Sequence, residues 1–291
     1  MPAEPSASSC APFSSPAAPC ALIKVGGEVV ADAAHLAGLA HNLRGLVAGG
    51  HRVVVVHGGG PQVSDLQEKL GQKVTKVAGQ RVTSADDIFA VTASLAGNVN
   101  VTLCAALVQA GVRAFGCHGA SGAMIACHKR EPLEVAGHGV VDYGEVGDVD
   151  TVDTAGLMAL CDAGYVPVVA TLGIDAAAGR VLNVNGDSAA AAVAKALPAA
   201  LVVLVTGVGG VFRDRHDPGT RLARLTVAEA RGLISEGVIA DGMIPKVQEA
   251  LTLLSHGVGC VAIASAMDPS AFAALASGTE RADAHGTRLL P

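Results

Sequence analysis

The sequence predicts an α/β fold organised around a mainly parallel β-sheet. Val53–Val56 and Leu201–Val205 are uninterrupted apolar runs, which is the pattern of strands that are buried on both faces. Segments with amphipathic helical spacing lie between such runs, and glycine-rich turns mark points where strands pass into helices. Strands that alternate with helices form parallel sheets whose faces are covered by the helices.

The composition indicates a large core without an aromatic-rich recognition surface. The 291 residues are 51% hydrophobic but only 2% aromatic, and this length suffices for one or two domains. The net charge of −6 argues against a nucleic-acid partner, and no apolar run reaches the length of a membrane span. Seven scattered cysteines without a CxxC pair predict reduced thiols and a cytoplasmic location. The histidines lack ligand spacing, so no metal site is predicted.

Residues 1–20 are rich in Pro, Ala and Ser, which predicts a disordered tail. The rest of the first half is predicted to alternate between strands and helices. The predicted elements are, in order, the strand 21–25, a helix ending at Gly49-Gly50, the strand 53–56, a helix to about Leu70, a hairpin or lid over 73–83, a long helix from Ser84 to about Ala110, the strand 112–117 and an irregular β region over 118–150.

The second half continues the same alternation. The predicted elements are a helix near 154–163, the strand 166–170, a turn at 175–179, an alanine-rich helix capped by Asp187-Ser188, the strand 201–206, a capping-box helix from Thr226 to about Ser235, a helix opening at Gly242, the strand 258–264, a helix over 269–276 and an edge strand over 287–290. We place the boundary between two lobes at the turn 175–179.

The stretch Val53–Pro61, VVVVHGGGP, carries the first functional signal. Gly58, Gly59 and Gly60 lack a Cβ, so their backbone can approach a ligand closely. Their N–H groups and the N-terminus of the following helix form an anion site. We interpret this stretch as a phosphate cradle, and a plain strand-to-helix turn is the alternative.

Neither the GxxxxGK[ST] nor the GxGxxG nucleotide fingerprint is present. The chain has instead a set of glycine turns and charged residues at turns or helix starts: Gly26-Gly27, Gly58–Gly60, Lys24, Lys246 and Asp187. Transfer of a phosphoryl group to an anionic acceptor brings like charges together, at about 4 kcal/mol for each unit pair 4 Å apart in an effective dielectric near 20. Fixed cations and N–H dipoles offset this repulsion, so the set predicts phosphoryl transfer.

Six ordered motifs carry a resemblance to a known family: KVGG, HGGGP, GQRVTSADD, LAGNVN, VLNVNGD and DGMIPK. Together they resemble the amino acid kinase family, and within it the branch that phosphorylates N-acetyl-L-glutamate in arginine biosynthesis. The resemblance implies a three-layer αβα sandwich, with an N-terminal lobe (21–178) for the amino-acid substrate and dimerisation and a C-terminal lobe (179–291) for ATP. It also implies a homodimer with a sheet continued across subunits, and ATP with Mg²⁺ as cofactors.

The resemblance also implies roles for individual residues. Lys24 and Lys246 would stabilise the transferred phosphoryl group, and Asp187 would orient both lysines. The residues implied to contact ATP or its phosphates are Gly26, Gly27, Gly58, Gly59, Thr206, Gly207 and Gly210. The residues implied to bind N-acetyl-L-glutamate are Gly59, Gly60, Arg81 and Asn183. No protein base is needed, because the attacking carboxylate is already ionised.

Each charged or polar side chain also has a plainer interpretation. Lys24 can be a strand-end surface lysine, and Lys246 a solvated lysine at a helix start. Arg81 can be a surface arginine, Asp187 an N-cap, and Asn183 a turn former.

Two departures from the family pattern keep other functions open. Gly207 stands where the family has Asp, and Ala120-Ser121 replace a charged pair. They motivate a ligand-sensing member of the fold without turnover. A third hypothesis is a related acyl-phosphate kinase for carrier-bound aminoadipate, in which Arg81 serves equally. The N-terminal tail lacks the amphipathic helix with which arginine-inhibited relatives form hexamers, so the resemblance implies a dimer without arginine feedback.

Overall fold

The computed structural model describes residues 18–197, 199–278 and 280–291. Its strands are β1 (Cys20–Val25), β2 (Arg52–His57), β3 (Lys76–Val77), β4 (Gln80–Arg81), β5 (Ala114–His118), β6 (Ile125–Lys129), β7 (Leu133–Val135), β8 (Gly139–Val141), β9 (Val146–Val152), β10 (Val166–Ala170), β11 (Leu172–Asp175), β12 (Arg180–Val184), β13 (Leu201–Thr206), β14 (Arg224–Thr226), β15 (Val261–Ser265) and β16 (Thr287–Leu290). Its α-helices are α1 (Gly27–Ala31), α2 (Ala33–Ala48), α3 (Gly60–Lys69), α4 (Asp87–Thr92), α5 (Asn100–Gln109), α6 (Ala155–Asp162), α7 (Gly186–Ala196), α8 (Val227–Ser235), α9 (Met243–Ser255) and α10 (Ala271–Ser277).

An eight-stranded sheet in the order β14-β16-β15-β13-β1-β2-β10-β5 forms the middle layer. Its described strand pairs are parallel, except for the antiparallel pair of β15 and β16. Helices α6 to α9 cover one face, and α2, α5 and α10 cover the other. The predicted three-layer αβα sandwich with a mainly parallel sheet is therefore confirmed.

The alternation of side chains along β1 decides where the first predicted lysine points. Neighbouring residues of a strand face opposite sides of the sheet. Leu22 packs into the core beneath α7 and α9, whereas Ile23 packs into the core on the opposite face. Lys24 has the same parity as Leu22, so its side chain rises on the face that carries α7 and α9.

A second β structure lies where an irregular β region was expected. Strands β6, β9, β11 and β12 close into a small barrel, and β7 and β8 form a hairpin beside it. The region is therefore more regular than predicted over 118–150, because strands distant in sequence complete its pairing. The hairpin predicted over 73–83 is confirmed by the pairing of β3 with β4.

The long helix predicted after residue 84 runs over Asp87–Gln109 and contains a π-helical segment, Ala93–Val99. This segment packs against the glycine turn after β2, since a Cβ on Gly59 would lie 2.8 Å from Leu95 and 3.0 Å from Val99. π segments occur frequently at functional sites. By length and composition this helix could also cross a membrane, but Leu95 and the other apolar side chains of its inner face are buried in the core.

Two local predictions are wrong. Strand β16 is not an edge strand, because β14 pairs with its open side. Asp187 does not cap α7, because the side chain of Asn185 accepts the backbone N–H groups of Asp187 and Ser188 at 2.9 and 3.0 Å. The carboxylate of Asp187 is therefore free for contacts outside the helix.

The division into two lobes stays a prediction. The segment proposed as their boundary, Asp175–Gly179, contains the turn between the paired strands β11 and β12. Most of the predicted tail, residues 1–17, lies outside the described residues, and so does Pro198, at which the alanine-rich helix was expected to end. Cys20, the last residue of that predicted tail, already belongs to β1.

Candidate active site

Lys24, near the end of β1, lies between a half-exposed carboxylate and a buried one. Its Nζ lies 2.5 Å from Oδ1 of Asp187 on α7 and 3.2 Å from Oε2 of Glu249 on α9. Only 7% of the Lys24 surface is exposed. Burial by itself lowers the pKa of this ammonium, but Glu249 and Asp187 outweigh it and hold the pKa above its ordinary value. Lys24 is therefore a permanently charged cation at neutral pH.

Lys246 lies in the first turn of α9, one helical turn before Glu249. Its Nζ is 3.6 Å from Oε1 of Glu28, and Glu28 folds back against Gly26, where a Cβ would collide with its carboxylate. Among the described ion pairs, Asp187 contacts Lys24 but not Lys246. The expectation that Asp187 orients both lysines therefore needs correction, because Glu28 is the ion-pair partner of Lys246.

The two glycine turns lie side by side. A Cβ on Gly27 would stand 2.9 Å from Cδ of Pro61 and 3.1 Å from Cα of Gly59, so the close approach of the turns requires glycine there. The N-terminus of α7 completes the group, since a Cβ on Gly186 would lie 4.0 Å from Cα of Gly58.

Three backbone N–H groups of this region are already donated within the protein, because Gly58 donates to the carbonyl oxygen of Val25 at 3.2 Å and Asp187 and Ser188 donate to Asn185. The expectation that Gly58 donates its N–H to a phosphate is therefore wrong. The N–H groups at the starts of α1 and α3, which have no partner within their own helix, are the ones suited to an anion.

A buried histidine fixes the second glycine turn. Nδ1 of His57 lies 2.9 Å from the carbonyl oxygen of Gly58, and Nε2 lies 2.9 Å from Nδ2 of Asn100. The amide of Asn100 donates, so Nε2 accepts and Nδ1–H donates to Gly58. Burial lowers the pKa of His57 to about 4. The imidazole is neutral and positions the turn.

A cavity of about 710 Å³ opens beside Lys246. Three of the residues predicted to contact ATP or its phosphates line it, Thr206, Gly207 and Gly210, and so does the predicted catalytic Lys246. Phe212, Ile239 and Met243 give it apolar walls. A carboxylate at position 207 would point towards α2, because a Cβ there would lie 3.9 Å from Nε2 of His35.

A smaller cavity of about 180 Å³ lies over the second glycine turn. All four residues predicted to bind the amino-acid substrate line it: Gly59, Gly60, Arg81 and Asn183. Lys76, a cation that was not predicted, and Gly58 line it as well. Gly58, predicted for the phosphates, belongs to this cavity. Glu28 and Lys246 line the large cavity, whereas the second glycine turn and Gly186 at the start of α7 line the small one.

Arg81 is oriented by the start of α3. Its guanidinium donates to the carbonyl oxygen of Gly60 at 2.8 Å, to Oγ of Ser64 at 2.7 Å and to the side chain of Gln67. These bonds use three of its five N–H donors, so two remain for a ligand. Asn183 is held by a bond of 3.0 Å to Oγ1 of Thr83.

The sequence analysis assigned no role to four side chains that orient the predicted site residues: Glu28, Gln67, Asn100 and Glu249. Glu249 carried a detectable signal, since it is a charged residue three positions after a predicted catalytic lysine on a helix that is otherwise apolar on that face. Asn100 belongs to the LAGNVN motif but was given no role there. Gln67 gave no such signal, because Arg81, which it orients, lies 14 residues away in sequence.

Comparison with known proteins agrees with this arrangement. Residues 19–265 match the Amino acid kinase family. The chain belongs to the amino acid kinase family. It is 48% identical to the "Acetylglutamate kinase" of Sorangium cellulosum over 88% of this chain and 90% of that protein. It is 44% identical to the "Acetylglutamate kinase" of Anaeromyxobacter sp. (strain Fw109-5), covering 83% and 89% of the two chains.

The fold of the family is visible at lower identity as well. The carbamate kinase of Giardia superposes with a TM-score of 0.63 at 17% identity, covering 94% of this chain and 99% of that chain. At this identity the likeness shows the amino acid kinase fold alone. The predicted fold and family are therefore both confirmed, and the chain is a kinase of this family.

Proposed function

We propose that the protein transfers the γ-phosphoryl group of ATP to the side-chain carboxylate of N-acetyl-L-glutamate, the second step of arginine biosynthesis. One observation carries this proposal: the buried Lys24 connects the elements that line the two cavities. It pairs with Asp187, the neighbour of Gly186 in the small cavity, and with Glu249, one helical turn after Lys246 in the large cavity. The names of the relatives at 48% and 44% identity support the same activity, and they favour it over the aminoadipate and ligand-sensing alternatives.

The small cavity supports a short acidic acceptor. Its volume of about 180 Å³ suits one acylated amino acid rather than a carrier protein. Arg81 keeps two free N–H donors there, and Lys76 lies on its rim, so a carboxylate remote from the reaction would find two cations. The second carboxylate would then face the glycine turns, ionised and ready to attack.

The large cavity supports ATP. Its apolar walls suit a base and ribose, and its inner end carries Lys246. Lys24 and Lys246 would offset the charge that gathers on the transferred phosphoryl group, and the backbone N–H groups of the glycine turns would bind its oxygens. The attacking carboxylate oxygen forms the new P–O bond as ADP leaves, so no side chain needs to remove a proton.

The Mg²⁺ that binds together with ATP fits this site if the protein supplies only one or two of its ligands. No cluster of three acidic, histidine or cysteine side chains is present in the described part of the chain. Glu28, half exposed beside Lys246, is an available oxygen ligand. Mg²⁺ bound to nucleotides takes one or two carboxylates and keeps phosphate and water in its other positions, and it would supply charge neutralisation there.

A coupled assay of ADP release tests this function. The acceptors are N-acetyl-L-glutamate, L-glutamate, N-acetyl-L-aspartate and N-acetyl-L-aminoadipate, and hydroxylamine traps the acyl phosphate as a hydroxamate. We expect turnover with N-acetyl-L-glutamate above all others. Preference for the longer acceptor would favour the aminoadipate hypothesis. Calorimetric binding of N-acetyl-L-glutamate without binding of ATP would favour a sensor.

We also propose a homodimer whose sheet continues from one subunit into the next. Strand β5 is the edge of the central sheet, and its Phe115 is 44% exposed. Phe89, Val101 and Val108, on the helix 87–109 that packs beside this strand, are 58–66% exposed. An open strand edge next to exposed apolar side chains favours pairing with a second copy.

Sedimentation velocity tests the dimer. We expect a dimer for the wild type and a monomer for Val101→Asp. Val140→Asp is the matched control and should remain dimeric, because Val140 is 71% exposed on β8, which belongs to a separate two-stranded sheet. A monomeric wild type would contradict the proposal. The scattered cysteines support a cytoplasmic location, which cell fractionation would test.

A further inference from the structure

Glu249 is a buried acid at a site built for anions. Only 8% of its surface is exposed, and its Oε2 lies 3.2 Å from Nζ of Lys24. Its other oxygen, Oε1, is buried without a hydrogen-bond partner among the described residues. A negative charge here opposes the binding of two anionic substrates, so packing alone does not explain the choice of glutamate, and a methionine would fill the same space.

The charges around Glu249 come from three elements. Lys24 of β1 contacts it, Asp187 of α7 lies across that lysine, and Lys246 precedes it on α9. Burial raises the pKa of Glu249, and the ammonium of Lys24 opposes this rise. The acid is thus tied to the cation that the proposed reaction uses.

The contact with Glu249 fixes the orientation of the Lys24 ammonium. Lys24 has three N–H donors. Asp187 takes one at 2.5 Å and Glu249 takes another at 3.2 Å. With two donors fixed on different helices, the direction of the third is fixed too. A lysine with one partner would rotate about its Cε–Nζ bond and its flexible stem.

We infer that Glu249 is a positioning residue for Lys24: together with Asp187 it holds the ammonium so that the third N–H points at the transferred phosphoryl group. The inference rests on the proposed function for the identity of that group. The contact between Glu249 and Lys24 is testable without it. Glu249 itself touches no substrate and takes no proton in the reaction.

Two variants with side chains of similar size distinguish the loss of the hydrogen-bond acceptor at position 249 from a change in side-chain volume. Glu249→Gln keeps an oxygen that accepts from Lys24, and Glu249→Met keeps the length of the side chain but no comparable acceptor. Misplacement of a catalytic group is costly, so we expect Glu249→Met to lower kcat about tenfold or more, with KM for ATP changed by less than about threefold. Glu249→Gln should keep at least about a third of the wild-type kcat.

A second readout needs no turnover. In nitrogen-15 NMR the ammonium signal of Lys24, identified by its loss in Lys24→Arg, reports how fast its protons exchange with water. Held protons exchange slowly, so we expect faster exchange in Glu249→Met and near wild-type exchange in Glu249→Gln. Thermal unfolding of both variants checks that they are folded.

The outcomes are distinct. Equal kcat in Glu249→Met and wild type, or equal losses in both folded variants, would overturn the inference, and so would unchanged ammonium exchange in Glu249→Met. If the wild type showed no kinase activity, the proposed function would fail on its own, and proton exchange at Lys24 would still decide whether Glu249 holds this lysine.

Discussion

Replacing Lys24 by Met is the sharpest test of the charge arrangement. The substitution keeps an unbranched side chain of similar length and removes the ammonium. Lys24 is 7% exposed and lies between Asp187 and Glu249, so water cannot readily replace the lost charge. Two carboxylates would then face the phosphate site without their shared cation.

The expected loss follows from the distances. An ammonium about 4 Å from the transferred phosphoryl group contributes about 4 kcal/mol for each unit charge at an effective dielectric near 20. Since about 1.4 kcal/mol corresponds to a tenfold change, this is about a thousandfold in rate. Removal of one donor to a developing oxyanion typically costs about 10²–10³ in kcat. We therefore expect kcat to fall about 10²–10³-fold in Lys24→Met.

The assay is ADP release at saturating ATP and N-acetyl-L-glutamate. Lys195→Met is the control, because Lys195 is an exposed lysine on the same helix as Asp187, and it should keep wild-type kcat. A Lys24→Met enzyme with more than about a tenth of wild-type kcat would refute the electrostatic account.

The same variant should acquire a pH-dependent stability. Burial raises the pKa of Glu249, and Lys24 counteracts this rise. Without Lys24 the folded-state pKa rises further above its unfolded value, so stability is retained at low pH and lost as pH increases. We expect the difference in Tm between Lys24→Met and the wild type to grow from pH 5 to pH 8. A difference that shrinks over this range would contradict the assignment.

Five further substitutions test other parts of the molecule. Gly58→Ala meets no described atom within 4 Å, so it should raise KM for the acceptor without lowering Tm. Gly27→Ala meets the neighbouring turn at 2.9 and 3.1 Å and should lower both Tm and kcat. Arg81→Lys loses the planar fork and should raise KM for N-acetyl-L-glutamate about tenfold, while KM for ATP stays within about threefold. Thr226→Ala removes the capping box of α8 and should cost about 1 kcal/mol in urea unfolding. Two arginines hold the pKa of Asp283 at about 2, so Asp283→Asn should lower Tm at pH 7 and progressively less below pH 4.

Much of the fold follows from local patterns. Strand β10 was predicted to the residue, and the Thr226–Glu229 capping box forms as its spacing implies. Element ends were less predictable, because pairing partners decide them. The order of the strands in the sheet and the closure of the small barrel depend on contacts between distant segments, which periodicity does not encode.

The candidate site likewise contains residues that the sequence pointed to and residues that only the structure revealed. Glycine turns after strands, lysines beside turns and the family motifs pointed to residues that line the two cavities, among them Lys246, Arg81 and Asn183. The residues that hold these in place come from elsewhere in the chain: Glu249 is 225 residues from Lys24, and Asn100 is 43 from His57.

The sequence by itself determined the mainly parallel α/β architecture, because the periodicity within each segment encodes its strands and helices, and the kinase family, because six ordered motifs carry it. Only the tertiary structure decided which carboxylate meets which lysine and which residue caps α7. Those contacts arise when β1, α7 and α9 pack together, and the free energy of a buried ion pair depends on that packing and not on the distance along the chain.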